Sequence, residues 1–211
     1  VDDVKLPGIL HAAFYRSPYA HARIKSLNVE AARQHPGVVA VLTGADVVGK
    51  IGTIPCGAAS PDMKVPTNHA LAVDTIGFVG QPIAVVVADS LYTAQDAVDK
   101  ITMEVETLPA VVDPEAAAQP GSPKVHEDMS DNIVFRGFGP APALSPTPMG
   151  NTDEFFKQAD KVVSIKITQQ RLVPMSMEGR AVLATLDRGK GKLTVWISTQ
   201  IPHLVRTLLA G

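Results

Sequence analysis

The stretch "GQPIAVVVADSLYTAQDAVDKITMEVETLPAVVDP", residues 80–114, constrains the fold more than any other part of this chain. Ile83 to Ala88 is an unbroken apolar run of strand length and reads as a continuous apolar strand. Asp89 or Ser90 follows, and either side chain can accept from the orphan N–H groups of a helix that begins at Leu91. Leu91, Ala94, Ala97, Val98 and Ile101 hold helical spacing, after which Met103 and Val105 alternate with Glu104 and Glu106 as a second strand. Strand, helix and strand in this order predict a β-α-β unit and an α/β or α+β domain. The first turn carries no glycine-rich cradle for a phosphate, so the unit by itself indicates no nucleotide chemistry.

Other strands fit around it. "HAAFYR" and "ARIKSLNV" are strand candidates, although apolar and polar residues alternate imperfectly in the second. "GVVAVLTGADV" follows a Pro36-Gly37 turn signal and reads as a buried strand. Residues 49–68, rich in Gly and Pro, form a loop excursion. Residues 114–150 shift to Pro, Ala, Gly and Ser, and place a domain boundary within this stretch. Beyond it, "TDEFFKQA" is a short helix capped by Asn151 or Thr152, and "KVVSIKITQQR", "RAVLATLD" and "GKLTVWIST" are three strands. The chain ends on "WISTQIPHLVRTLLAG", a strand through Thr199 leading into a helix whose stripe is Ile201, Leu204, Val205, Leu208 and Leu209. Pro202 suits that helix's first turn. Three strands and one helix make a thin second unit, which by this reading needs more chain or another subunit to close its core. Both ends read as cut, since the chain opens on Val1 and enters a strand almost at once.

Composition narrows the chemistry. With 211 residues, a formal charge of -2 and one cysteine, the chain shows no basic footprint for nucleic acid and has no means of forming an internal disulfide or a cysteine-rich metal site. Cys56 reads as a free loop thiol. No apolar run approaches the about 20 residues of a membrane span, so the expected setting is cytoplasmic. His11, His21, His35, His69, His126 and His203 are scattered without metal-ligand spacing, and no G-x-S-x-G elbow marks a hydrolase. Two places remain as candidate sites. Glu178 and Arg180 flank Gly179 inside an apolar stretch, either as a local ion pair or as groups facing a polar site. Gln200 stands where strand meets helix, either as a turn residue or as an amide facing a ligand at the carboxyl edge of a sheet.

Several stretches together carry a resemblance. "VDDVKLPGILHAAFYRSPYAHARIKSLNVEAARQHPGVVAVLTGADV", "GQPIAVVVADSLYTAQDA", "MEVETLPAVVDPEAA", "QRLVPMSMEGRAV" and "LTVWISTQIPHLVR" resemble, in this order, the large molybdenum-cofactor subunit of the xanthine dehydrogenase and aldehyde oxidase family. Carbon monoxide dehydrogenase large subunits are relatives within it. The resemblance implies an a/b hammerhead domain over residues 1–125 and the beginning of the molybdopterin-binding domain over 126–211. Family members continue into further pterin-binding loops and a late catalytic glutamate that these residues do not include. The family's "STQ" glutamine, which hydrogen-bonds an oxygen ligand of the metal, maps onto Gln200, and makes it the implied catalytic and cofactor-binding residue. The family's "MEPR" stretch maps onto Met177, Glu178, Gly179 and Arg180, with Gly179 in place of the usual proline, so Glu178 and Arg180 are implied as supporting residues behind the site.

The implied activity is hydroxylation of an aldehyde or N-heterocycle carbon with water as oxygen source. The implied cofactor is a molybdopterin-type molybdenum cofactor in its cytosine dinucleotide form. Electrons would leave through iron–sulfur clusters and FAD on partner subunits, in a dimer of heterotrimers that also contains the rest of the same subunit. The alternatives are a molybdenum–copper carbon monoxide dehydrogenase subunit and, from another class, a non-catalytic binding or assembly module.

Overall fold

The computed structural model describes residues 1, 3–56, 63–135, 152–173 and 175–210. The chain divides into two compact units, Pro7–Gly139 and, separately, Val1–Leu6 with Pro140–Gly211.

The first unit is a mixed α+β fold built on two three-stranded antiparallel sheets. Strands β1 (His11–Arg16), β2 (Ala22–Asn28) and β3 (Val38–Thr43), then β4 (Thr75–Ile76), β5 (Pro82–Ala88) and β6 (Thr102–Thr107), pair in the orders β1-β5-β3 and β4-β2-β6. Three short helices, α1 (Glu30–Arg33), α2 (Gly44–Val47) and α4 (Pro114–Ala117), accompany the longer α3 (Leu91–Val98). Strand β5 is the centre of its sheet, with Phe14 of β1 and Leu42 of β3 both opposite Val85. Its two faces feed two cores. Ala84, Val86 and Ala88 pack with Val29, Ala32, Val41, Ala94, Ala97 and Ile101. Ile83, on the opposite face, packs with Ala22, Ala72 and Ile76. The first face is buried throughout and the second is buried at Ile83 and half-buried at Val85 and Val87, so no position of the run is left fully exposed for a polar residue. Ser90 caps α3 by accepting from the Thr93 N–H at 3.0 Å, settling the choice between Asp89 and Ser90.

The segment 80–114 departs from a β-α-β unit in one respect. Strands β5 and β6 belong to different sheets, and β6 pairs antiparallel with β2. Local periodicity dictates strand, helix and strand, but partner choice is long-range. Both edges of β5 are already taken by β1 and β3, and Met103 and Val105 of β6 pack against the second core. Helix α3 therefore links two sheets instead of crossing over one.

The imperfect alternation in "ARIKSLNV" is a bulge. The pairing of β2 with β6 shifts register between Ile24 and Ser26, so Ile24 and Leu27 reach the same core although they are three residues apart, as an extra residue in one strand requires. Lys25, at the irregularity, forms an ion pair with Glu106. "GVVAVLTGADV" is a strand only to Thr43, after which the chain turns into α2. Asp46 Oδ2 accepts from the Thr43 N–H and hydroxyl, each at 2.8 Å, a reciprocal fastening related to the capping box. Gly44 is required there, because a Cβ at that position would meet the Ala72 carbonyl oxygen at 2.2 Å. Gly37, at φ +85°, makes the turn into β3. Residues 49–56 and 63–68 hold no helix or strand, as expected, apart from the isolated bridge of Ile51 with Val48, and 57–62 lie outside the described residues. Residues beyond α4 stay attached to this unit, with the Lys64 N–H donating to the Val134 carbonyl at 2.9 Å and the Thr67 N–H to Asp128 Oδ2 at 3.1 Å.

The second unit contains α5 (Thr152–Gln158), β7 (Val182–Asp187), β8 (Lys192–Ile197) and α6 (Pro202–Ala210). The expected cap of α5 falls on Asn151 and on the Thr152 side chain, which lie outside the described residues. Strands β7 and β8 form an antiparallel hairpin in register from Val182↔Ile197 to Asp187↔Lys192. Asp187 Oδ1 accepts from the Gly189 and Lys190 N–H groups at 3.0 and 3.2 Å and so closes the turn. "KVVSIKITQQR", expected as a third strand, forms none. Val163, Ile165 and Ile167 are 80%, 81% and 75% exposed. Period-two patterning makes a strand only where a neighbouring edge accepts its hydrogen bonds, and no described strand forms a ladder with this segment. The stripe residues Ile201, Leu204, Leu208 and Leu209 of the α6 region are likewise exposed.

Two predictions follow from the first unit. Ile83→Ala removes a fully buried side chain shared by β5 and the second core, and should cost about 2–5 kcal/mol in chemical denaturation. The Thr43 N–H, the Thr43 hydroxyl and the nearby Arg33 hold the Asp46 carboxyl below its ordinary value of 3.8. A depressed carboxylate contributes stability that is fully present above the unfolded value and is lost as pH falls through the lower folded one. Asp46→Asn should therefore be less stable than the parent at neutral pH, with the difference shrinking in denaturation curves taken below pH 4 (about the unfolded aspartate value).

Candidate functional site at the open end of the β7–β8 hairpin

The antiparallel register of β7 and β8 sets the site. It brings the segment before Val182 and the segment after Ile197 to the same end of the hairpin. The Ser198 N–H extends the ladder one step by donating to the Ala181 carbonyl at 3.3 Å. The Ser198 hydroxyl lies 3.0 Å from Glu178 Oε1, to which it donates, and 3.3 Å from the Gly179 carbonyl oxygen. The Ser176 hydroxyl donates to the Glu178 carbonyl at 2.7 Å, which closes a bend at Met177 and Glu178. On the other side, Thr199 Oγ1 accepts from the Ile201 N–H at 3.2 Å. This is the local side-chain-to-backbone bond that Ser and Thr offer before a helix.

Gln200 occupies the bend between these fastenings, exposed, one residue before Ile201 and two before the first residue of α6. Among the described residues nothing hydrogen-bonds its side chain. Its amide therefore stands at the carboxyl end of a strand with two donors and an acceptor uncommitted. Glu178 and Arg180, both exposed, lie in the neighbouring segment. They do not pair with each other. Glu178 is held by Ser198 and lies 3.7 Å from the amino group of Val1. The hairpin thus gathers Glu178, Arg180 and Gln200 at one end although 22 positions separate the first from the last. Ser198 and Thr199 are what reading the sequence missed as site residues. The signal was present as two hydroxyl residues directly before Gln200, at a strand-to-helix junction.

The histidines do not converge. Buried His21 has Nδ1 2.8 Å from the Pro109 carbonyl oxygen, while His69 and His126 line an open cavity of about 460 Å³ in the first unit with Asp74, Glu127 and Asp128. Glu127 is paired with Arg23, and Asp128 with the Thr67 N–H. Among the described residues no group of three or more His, Cys, Asp or Glu is placed to hold a metal ion. Cys56 is exposed and free. No helix among the described residues is long and apolar enough to cross a membrane.

Known proteins share both units. Residues 1–109 match the profile of the aldehyde oxidase and xanthine dehydrogenase a/b hammerhead domain, and residues 125–211 match that of the molybdopterin cofactor-binding domain. Hammerhead followed by molybdopterin-binding region is the arrangement of a large subunit of a molybdenum hydroxylase. The chain belongs to the aldehyde oxidase and xanthine dehydrogenase family. It is 35% identical over 210 residues to the nicotine 6-hydroxylase large subunit of Paenarthrobacter nicotinovorans, covering 100% of this chain and 25% of that one. It is 35% identical over 223 residues to the carbon monoxide dehydrogenase large chain of Afipia carboxidovorans, covering 100% and 26%. Among solved structures, quinoline 2-oxidoreductase from Pseudomonas putida 86 is similar with a TM-score of 0.83 and 34% identity over 99% of this chain and 25% of that one. The chain spans about a quarter of the length of these relatives.

A Cβ at Gly179 would meet no atom within 4 Å, and its φ lies outside the left-handed region. Gly179→Ala should therefore be accommodated and should raise stability by about 0.4–1 kcal/mol in chemical denaturation, through reduced freedom of the unfolded chain.

Proposed function

We propose that this chain forms the hammerhead domain, residues 1–125, and the first part of the molybdopterin-binding domain, residues 126–211, of the molybdenum subunit of a hydroxylase. The observation that carries this is the convergence of Gln200 with the 176–180 segment at one end of the β7–β8 hairpin, within a region that matches the molybdopterin cofactor-binding domain. The donor set fits such a group. An exposed, uncommitted, neutral amide can orient an oxygen of the cofactor by hydrogen bonding without placing a charge beside the metal. When bound, the molybdenum cofactor supplies two-electron oxidation of a carbon with water as the oxygen source. The part of this chain is positional: Gln200 donates from its Nε2, the Ser198 and Thr199 contacts fix the backbone on either side, and Glu178 and Arg180 stand behind.

The substrate class is a small molecule with an electrophilic carbon, an aldehyde or an N-heterocycle. The N-heterocycle reading is supported by similarity to a nicotine 6-hydroxylase subunit and to quinoline 2-oxidoreductase. In this reading the cofactor is the cytosine dinucleotide form. Partner subunits in the cytoplasm carry iron–sulfur clusters and FAD, and two heterotrimers associate. The carbon monoxide dehydrogenase reading draws on the equal 35% identity to that large chain. Metal analysis of the purified enzyme separates the two: molybdenum without copper supports the hydroxylase, and copper in equal amount supports carbon monoxide dehydrogenase.

Gln200→Ala tests the site directly. It should lower turnover by about 10–100-fold, the usual cost of losing a residue that orients a metal's ligands, with subunit assembly and melting temperature unchanged. Unchanged turnover, or loss of assembled protein in proportion to activity, would return Gln200 to a turn residue.

A further inference from the structure

We propose that Ser198 is a positioning residue that couples the Glu178–Gly179 bend to Gln200, so that Glu178 serves the site as a neutral-tolerant acceptor and not through its charge. The inference rests on the reading of Gln200 given above.

Five contacts carry it. Ser198 is fixed through its backbone, by the 3.3 Å bond from its N–H to the Ala181 carbonyl, and through its side chain, whose hydroxyl donates to Glu178 Oε1 at 3.0 Å. The same hydroxyl oxygen lies 3.3 Å from the Gly179 carbonyl oxygen, so one proton is directed between two acceptors on adjacent residues. The Ser176 hydroxyl, bound to the Glu178 carbonyl at 2.7 Å, locks the bend from its other side. Gln200 is two residues from Ser198, and the intervening Thr199 spends its hydroxyl on the Ile201 N–H. The backbone carrying the amide is therefore held by Ser198 before it and by Thr199 across it. A bend with its own side chain exposed and uncommitted depends on such backbone contacts for its orientation, and small misplacements of an orienting group are costly to catalysis.

This arrangement separates two roles that Glu178 might play. Its nearest partner is the Ser198 hydroxyl at 3.0 Å, the Val1 amino group lies farther off at 3.7 Å on the same oxygen, and Arg180 does not pair with it among the described residues. A carboxylate whose part in the site is to accept that O–H bond can be replaced by the carbonyl oxygen of an amide. A carboxylate that acts on the site by its charge cannot.

The test uses the full-length, cofactor-loaded enzyme and four variants: Ser198→Ala, Ser198→Thr, Glu178→Gln and Glu178→Ala. Hydrogen–deuterium exchange at the amides of residues 176–181 and 198–203 reads the clamp, and kcat and KM read its consequence. Losing one such bond should speed exchange in both segments about fivefold. Ser198→Ala and Glu178→Ala should show this, with kcat lowered about tenfold and KM unchanged. Ser198→Thr and Glu178→Gln should restore both readouts. The double Ser198→Ala, Glu178→Ala variant should be no worse than Ser198→Ala alone, which already removes the contact to Glu178. Three results overturn the proposal: unchanged exchange in Ser198→Ala, a Glu178→Gln defect as large as that of Glu178→Ala, or additive defects in the double variant. Unaltered exchange in Ser198→Ala beside an impaired Gln200→Ala removes the clamp alone. Normal turnover in Gln200→Ala removes the reading of Gln200 and the catalytic purpose of the clamp together.

Discussion

Strand β5 is the element on which the first unit depends. Its backbone is hydrogen-bonded on both edges, to β1 and β3, and its side chains are covered on both faces, with Ala84, Val86 and Ala88 in one core and Ile83 in the other. A central strand of this kind has no tolerance for polar residues and little for changes of volume, since every position either packs or pairs. Its small residues follow from the same cause. Ala84 and Ala88 leave room for Ala94 and Ala97 of α3, and all four are fully buried, so helix and sheet approach closely over a surface of alanines. Fixing β5 fixes the position of α3, and α3 delivers the chain to β6 in the other sheet.

Reading from sequence reached as far as periodicity reaches. The run Ile83–Ala88, the helix from Leu91 and the alternation at Met103 and Val105 each carried their own signal, and each element formed. The pairing of β5 and β6 carried none. Whether two strands lie in one sheet is decided by which other edges are already occupied, and β1 and β3 lie some 40 to 70 positions away in sequence. Bulges are similar. The disordered alternation at Ile24, Lys25 and Ser26 was visible, but it reads as weak burial until the partner strand shows a register shift. The segment at 161–171 gives the converse lesson. Val163, Ile165 and Ile167 have the right period, yet a pattern specifies only which face would be buried, and a ladder needs a second strand.

The candidate site was legible in its residues and not in its geometry. Gln200, Glu178 and Arg180 each stood out by chemical type, but nothing local says that position 178 meets position 198, two residues before Gln200. The hairpin register brings them together, and the register in turn depends on the Asp187 turn and on the pairing from Val182↔Ile197 outward. An ion pair between Glu178 and Arg180 was a natural reading of two opposite charges flanking a glycine. Instead the carboxylate turns to a hydroxyl across the hairpin. That choice follows from strand geometry, because the strand start at Val182 aligns the preceding residues with Ser198 and leaves Arg180 exposed.

Gly179, where the resemblance to the family implies a proline, shows how such an exchange can be physically small. Proline at that position would restrict the unfolded chain and set one backbone angle, but it supplies no side-chain contact that glycine lacks. The contact made by residue 179 is its carbonyl oxygen, 3.3 Å from the Ser198 hydroxyl, and a carbonyl is present in either residue. With open space around the missing Cβ, the exchange alters how firmly the bend is held and leaves its hydrogen-bond partners in place. The burden of rigidity then passes to the hydroxyls of Ser176 and Ser198, which close the bend from both sides. A site carried on an exposed hairpin end, without a buried residue of its own, has few other means of holding an amide in one orientation.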